Sequence, residues 1–135
     1  MQGNIEMLEW YHKSGYKIKF SALTIDDVCA KGYVQILNWA DTFGYKLKYT
    51  EDSINRASRN NHVAILEWFD KSSYEFKYTT HAINEACRYG NISILEWFSR
   101  STYELKHTEY ALRWATLNGH PYVINWLKKI DQLDV

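Results

Sequence analysis

The chain has 135 residues, enough for one compact domain and too few for two ordinary ones. Hydrophobic residues at 46% and charged residues at 24% exclude a disordered chain, and a formal net charge of zero removes any long-range field toward nucleic acid or an anionic membrane. No apolar run approaches the roughly 18 residues of a spanning helix, and MQGNIEMLEW lacks the basic, apolar character of a secretory leader.

Cys29 and Cys87 are the only two cysteines and lie far apart, which fits a reduced, intracellular, cytoplasmic setting. Aromatic content is the unusual quantity, at 16% with six Trp and eleven Tyr. Periodicity accounts for it. Trp10, Trp39, Trp68, Trp97 and Trp126 recur every 29 residues. Leu8, Leu37, Leu66, Leu95 and Ile124 keep the same step, as do Tyr16, Tyr45, Tyr74 and Tyr103. Lys19, Lys48, Lys77 and Lys106 form a further column, Ile25, Ile54, Ile83 and Leu112 another, and Gly3, Gly32, Asn61, Gly90 and Gly119 a turn column. One period shared by so many columns marks a stacked-repeat architecture.

In chain order, residues 1–20 form a half unit with one helix and a connector. Full units follow at 21–49, 50–78 and 79–107, and residues 108–135 form a last unit whose polar end, KKIDQLDV, reads as a cap. The half unit has no visible first helix. This leaves open an exposed apolar edge around Ile5, Leu8 and Tyr11, a truncated chain, or an edge covered by a partner.

The unit at 50–78 shows the plan. Thr50 caps a first helix that Glu51 and Asp52 open, with Ile54, Ala57 and Ser58 on one face. Asn60-Asn61 marks the turn. VAILEWFDKSS is a second helix, apolar on nearly all sides and therefore in need of neighbours on both flanks. YEFKYT alternates and predicts an extended connector with Tyr74, Phe76 and Tyr78 inward and Glu75 and Lys77 in water. One such unit cannot bury its own apolar surface, so stacking is required. The Trp column is expected in the core, and Trp68→Ala is expected to cost about 3–5 kcal/mol.

These columns resemble the ankyrin repeat. Ile83 matches the first-helix Leu of that family, Ala86 its Ala, Gly90 its Gly, Trp97-Phe98 its Leu pair, and Gly119-His120 keeps its Gly-His step. The family period is about 33 residues, so the shorter step here implies a short or absent hairpin finger. The usual T-P-L-H opening is also lost. Units of this style resemble the degenerate ankyrin-like arrays of giant viruses. The resemblance implies an all-α, ankyrin-like helical repeat solenoid with shortened connectors.

Catalytic and cofactor-binding groups are not expected. The five His do not pair with Cys or carboxylates at zinc-like spacing, and no phosphate loop or H-E-x-x-H segment occurs. By resemblance, His62 and His120 hydrogen-bond across the loop. Cys29 and Cys87 share a small, buried first-helix column two units apart, roughly 20 Å at about 10 Å per unit, beyond disulfide reach. The Lys row could track phosphates, but Glu75 and Glu104 lie beside it, so a solvated face is favoured and nucleic-acid binding is disfavoured.

By resemblance, first helices and the loops before them build the concave binding face. The exposed first-helix positions, including Asp27, Ala30 and Lys31 in the first full unit, differ from unit to unit. Arg56, Arg59, Arg88, Tyr89 and Trp114 are the candidate contact set for a protein partner, being of the types that concentrate binding energy. The expectation is a protein–protein interaction scaffold, host-directed if viral, with no membrane partner. A homodimer through the N-terminal half unit is the alternative.

Overall fold

A computed structural model describes residues 5–133. The described residues are helical throughout, with coil connectors and no strand. Gly3 and the outer ends of the half unit and the last unit lie outside them. The helices are α1 (Ile5–Lys13), α2 (Ala22–Ala30), α3 (Val34–Thr42), α4 (Asp52–Arg59), α5 (Val63–Lys71), α6 (Thr80–Arg88), α7 (Ile92–Arg100), α8 (Glu109–Leu117) and α9 (Pro121–Leu133).

Packing follows the chain in two files. α2, α4, α6 and α8 contact one another in turn, and α1, α3, α5 and α7 do the same. Each short turn joins a helix of one file to its neighbour in the other, and α9 packs on α8. The first file approaches closely because its inner faces are small: Ala57, Ala86 and Ala115 are fully buried beside Ile25, Ile54 and Ile83. Burying these helices also buries Asp26, Asn55 and Asn84, and a buried polar group without a partner is costly.

The next helix pair supplies those partners. Thr50 donates to the Asp26 carboxylate through its backbone N–H at 2.9 Å and its hydroxyl at 2.6 Å, and the Ser53 hydroxyl donates at 2.6 Å. Asn55 accepts from the Thr79 N–H at 3.1 Å and donates to its hydroxyl at 2.9 Å. Asn84 does the same with Thr108, at 3.1 and 2.9 Å. Thr79 and Thr108 are also the N-caps of α6 and α8, accepting from the His81 and Tyr110 backbone. One side chain thus starts a helix and bolts it to the preceding one.

The aromatic rim runs along the second file. Trp39 stacks on Tyr45, Trp68 on Tyr74 and Trp97 on Tyr103, at centroid distances of 5.5, 5.8 and 6.0 Å. Indole N–H groups reach back one pair, Trp68 to Asn38 at 2.9 Å and Trp97 to Glu67 at 2.8 Å. The Trp column is not uniformly core, which corrects the reading from periodicity. Trp39 and Trp97 are buried, Trp68 and Trp126 half-buried, and Trp10 is 61% exposed. The residues beside them, Phe69 and Phe98, are the fully buried ones. The cost of about 3–5 kcal/mol for losing a large aromatic therefore belongs to Phe69 rather than Trp68. Leu112 likewise leaves its column: it is 41% exposed, whereas Ile25, Ile54 and Ile83 are fully buried.

Of two connector expectations, one needs correction. Tyr74, Phe76 and Tyr78 do pack on the core. Lys77 and Lys106, however, are not simply solvated: their ammonium groups sit 4.7 and 4.2 Å from the ring centroids of Tyr49 and Tyr78. Their positions in the row are set by these rings one pair back.

The turns couple through space. Asn61 adopts φ +65° and Gly90 φ +71°, the left-handed conformation that ends a helix. A Cβ on Gly90 would lie 2.6 Å from His120 Nδ1, and one on Gly32 would lie 2.5 Å from His62 Nδ1. At Gly32 and Gly90 the next pair presents an imidazole at the turn. Asn61 faces Asn91 in that register, and a Cβ is accommodated.

We expect Gly90→Ala to destabilise the chain by more than the ~1 kcal/mol of an ordinary helix Gly-Ala difference, since strain and a clash with His120 add. Adding His120→Ala should restore the clash part and leave the strain. Urea denaturation of both variants checks this, and strictly additive effects would refute the coupling. A second expectation concerns alkaline pH. Cys29 and Cys87 are free and fully buried. Burial pushes both thiols up to about 12, with a Ser53 hydrogen bond partly opposing it at Cys29. Their folded values lie above the unfolded ones, so the native state keeps its full stability below about pH 9 and loses it as pH rises from 9 toward 12. Thermal unfolding across that window, together with thiol titration that proceeds only on unfolding, measures it.

Candidate functional site

The exposed side of the first file is built from positions that point away from the buried Ile and Ala columns. In α2 and at its C-cap it carries Leu23, Asp27 and Lys31, in α4 Asp52, Arg56 and Arg59, in α6 His81, Glu85 and Arg88, and in α8 Tyr110, Trp114 and Leu117. Ala30, expected on this face, is 5% exposed and belongs to the core. Its carbonyl accepts from Asn60 at 2.8 Å.

Four of the five candidate residues converge. The Arg59 guanidinium lies 5.9 Å from the Tyr89 ring centroid. Arg88 lies 5.4 Å from Tyr89 and 5.4 Å from Trp114. Trp114 in turn meets Tyr110 at 5.5 Å. The result is a ladder, Arg59–Tyr89–Arg88–Trp114–Tyr110, crossing three helix pairs. Each cation–ring contact at such exposed positions contributes about 0.5–1 kcal/mol, enough to bias the rotamers of two long side chains.

Arg56 is different. Its guanidinium donates to Asp27 at 2.8 Å, a half-exposed ion pair whose contribution is small. It is a compensated charge at the edge of the ladder. Arg88 has a longer ionic contact of 3.7 Å to Glu85, and Arg59 has no ion pair among the described residues.

The backbone under Arg59 and Arg88 is pinned by the following turn. Asn91 donates through Nδ2 to the Ser58 carbonyl at 2.9 Å and the Arg59 carbonyl at 2.8 Å. His120 Nε2 lies 2.9 Å from the Arg88 carbonyl and donates to it. The His120 contact therefore runs between helix pairs instead of across its own loop. Asn91 escaped the sequence reading, as did Asp26, Asn55 and Asn84, whereas His120 was named there with a different partner. The signal was present: Asp26, Asn55 and Asn84 share the common step, as do Thr50, Thr79 and Thr108.

The groups suited to chemistry are dispersed. Among the described residues no cluster of three His, Cys, Asp or Glu could hold a metal ion. A depression of about 240 Å³ on this face, lined by Asp52, Asn55, Arg56, Arg59, His81 and Glu85, is smaller than ordinary small-molecule pockets. Such relief suits an applied chain better than an enclosed ligand. No helix among the described residues is long and apolar enough to cross a membrane. No protein-family model matches the chain, and no curated protein matches it.

Proposed function

We propose that this chain is an ankyrin-like helical repeat solenoid with shortened connectors, and that it works as a protein–protein interaction scaffold and not as an enzyme. The observation that carries the reading is the contrast within the first file. Its buried positions repeat from pair to pair, whereas its exposed positions change and gather Arg59, Tyr89, Arg88 and Trp114 into one surface. Arg, Tyr and Trp are the side chains in which interface energy concentrates. A host-directed role and a cytoplasmic site of action come with the giant-virus resemblance and belong to the same proposal. Nucleic-acid binding through the Lys row is weakened by the placement of Lys77 and Lys106 on tyrosine rings.

The Arg56/Arg59/Arg88→Glu triple variant should keep its fold and lose partners that the wild type captures from lysate under identical conditions. Identical partner lists would remove this face from the proposal. A second reading, self-association, rests on the N-terminal half unit. Of the edge expected around Ile5, Leu8 and Tyr11, Ile5 and Leu8 turn inward and pack against the core. The exposed apolar surface is formed by Tyr11, Met7, Trp10 and Tyr16, at 38%, 52%, 61% and 62% exposure. Light scattering over a wide concentration range decides it, since a strict monomer at the highest concentration would eliminate a dimer through that surface.

A further inference from the structure

The chemistry of the ladder limits what can lie on it. We infer that its partner is an extended protein segment with carboxylates spaced to meet Arg59 and Arg88 and an apolar side chain to cover Trp114; this rests on the scaffold reading above. Charge complementarity is the first ground. Arg56 is already matched by Asp27 at 2.8 Å, whereas Arg59 lacks an ion pair among the described residues and Arg88 has only the 3.7 Å contact with Glu85. A guanidinium resting on an aromatic face leaves in-plane N–H groups able to grip a carboxylate, often in bidentate fashion.

The second ground is the change of character along the face. Beyond Arg88 the surface turns apolar: Tyr110 is 45% exposed and Leu117 74%, flanking half-buried Trp114. Successive arginines sit one helix pair apart, roughly 10 Å. An extended chain advances about 3.3 Å per residue, so the matching carboxylates lie about three residues apart, with the apolar anchor beside the second of them, since Trp114 lies 5.4 Å from the Arg88 guanidinium.

A single-stranded nucleic acid fits less well. Arg59 and Arg88 both lie over the Tyr89 ring, which breaks the run of open platforms that successive bases would need. Asp52 and Glu85 line the depression beside Arg59 and oppose a phosphate there. Acidic side chains can be spaced to avoid those two carboxylates, whereas a phosphate backbone carries a charge at every step.

A peptide selection tests the inference directly. Random dodecapeptides displayed on phage are selected against the whole chain, and an enriched peptide is then synthesised and measured by fluorescence anisotropy. The expected peptides carry Asp or Glu about three residues apart, next to an aromatic or aliphatic residue. Arg59→Gln, Arg88→Gln and Trp114→Ala should each weaken binding roughly tenfold, while Arg100→Gln on α7 leaves it unchanged. Affinity should fall as salt rises. Amide chemical-shift mapping on the wild-type chain locates the peptide without recourse to any variant. Neutral or basic peptides that still depend on Trp114 would overturn the acidic partner and leave the scaffold face standing. An empty selection, or peptides mapping elsewhere and indifferent to all three substitutions, would overturn both. Oligo-deoxythymidine displacing the peptide from this face with higher affinity would replace the inference with nucleic-acid binding.

Discussion

Each of α2, α4 and α6 buries a polar side chain that is satisfied by the residue heading the next first helix. The remaining architecture depends on that clamp. Apolar packing of Ala57 or Ala86 against the next helix is tolerant of sliding, since small surfaces fit in several registers. An amide with one acceptor and two donors is not tolerant. Asn55 satisfies its acceptor on the Thr79 N–H and one donor on the Thr79 hydroxyl, and a displacement of a single turn would leave both buried and unpaired. The same threonine is the helix cap, so the register between pairs and the start of each helix are one decision.

The clamp has consequences on the exposed side of the same helices. Locking the register brings each guanidinium to the ring of the next pair, Arg59 to Tyr89 and Arg88 to Trp114. It also brings Asn91 and His120 under the carbonyls of Arg59 and Arg88. A surface on helices held from beneath is better ordered than one on a free loop, and ordered side chains lose less entropy when a partner arrives. The glycine at position 90 belongs to the same construction, because a side chain there would displace the imidazole that steadies Arg88.

The second file has a different logic. Its helices are covered by stacked indole and phenol rings rather than by a polar clamp, and the covering weakens toward α1. Trp10 and Tyr16 hold the positions that are stacked in later pairs, but both face solvent. Trp39 and Tyr45 stack at 5.5 Å one pair later, and the coverage deepens through Phe76, which meets Tyr103 at 3.9 Å. Burial in this file therefore varies from pair to pair with the side chains set alongside, and Trp68 stays half-buried although α5 contacts both α3 and α7.

The helix positions, the turns between them and the inward faces were all legible in the sequence, because a fixed step makes every local preference appear several times over. Ile54, Ala57 and Ser58 recur in kind, and so do the helix-ending turn residues. Exposure was less legible. Trp10 and Trp97 occupy one column and read identically, yet one is solvated and the other buried, since burial depends on what lies alongside and not on the residue itself. Ala30 and Leu112 were misplaced for the same reason. The candidate arginines could be named from their residue types, but their division into one compensated charge and two available ones came only with the distances to Asp27, Glu85, Tyr89 and Trp114. Period and propensity act along the chain, and the sequence carries them alone. Pairing between side chains nearly 30 residues apart depends on how helix pairs are set beside one another, and that was decided by the tertiary structure.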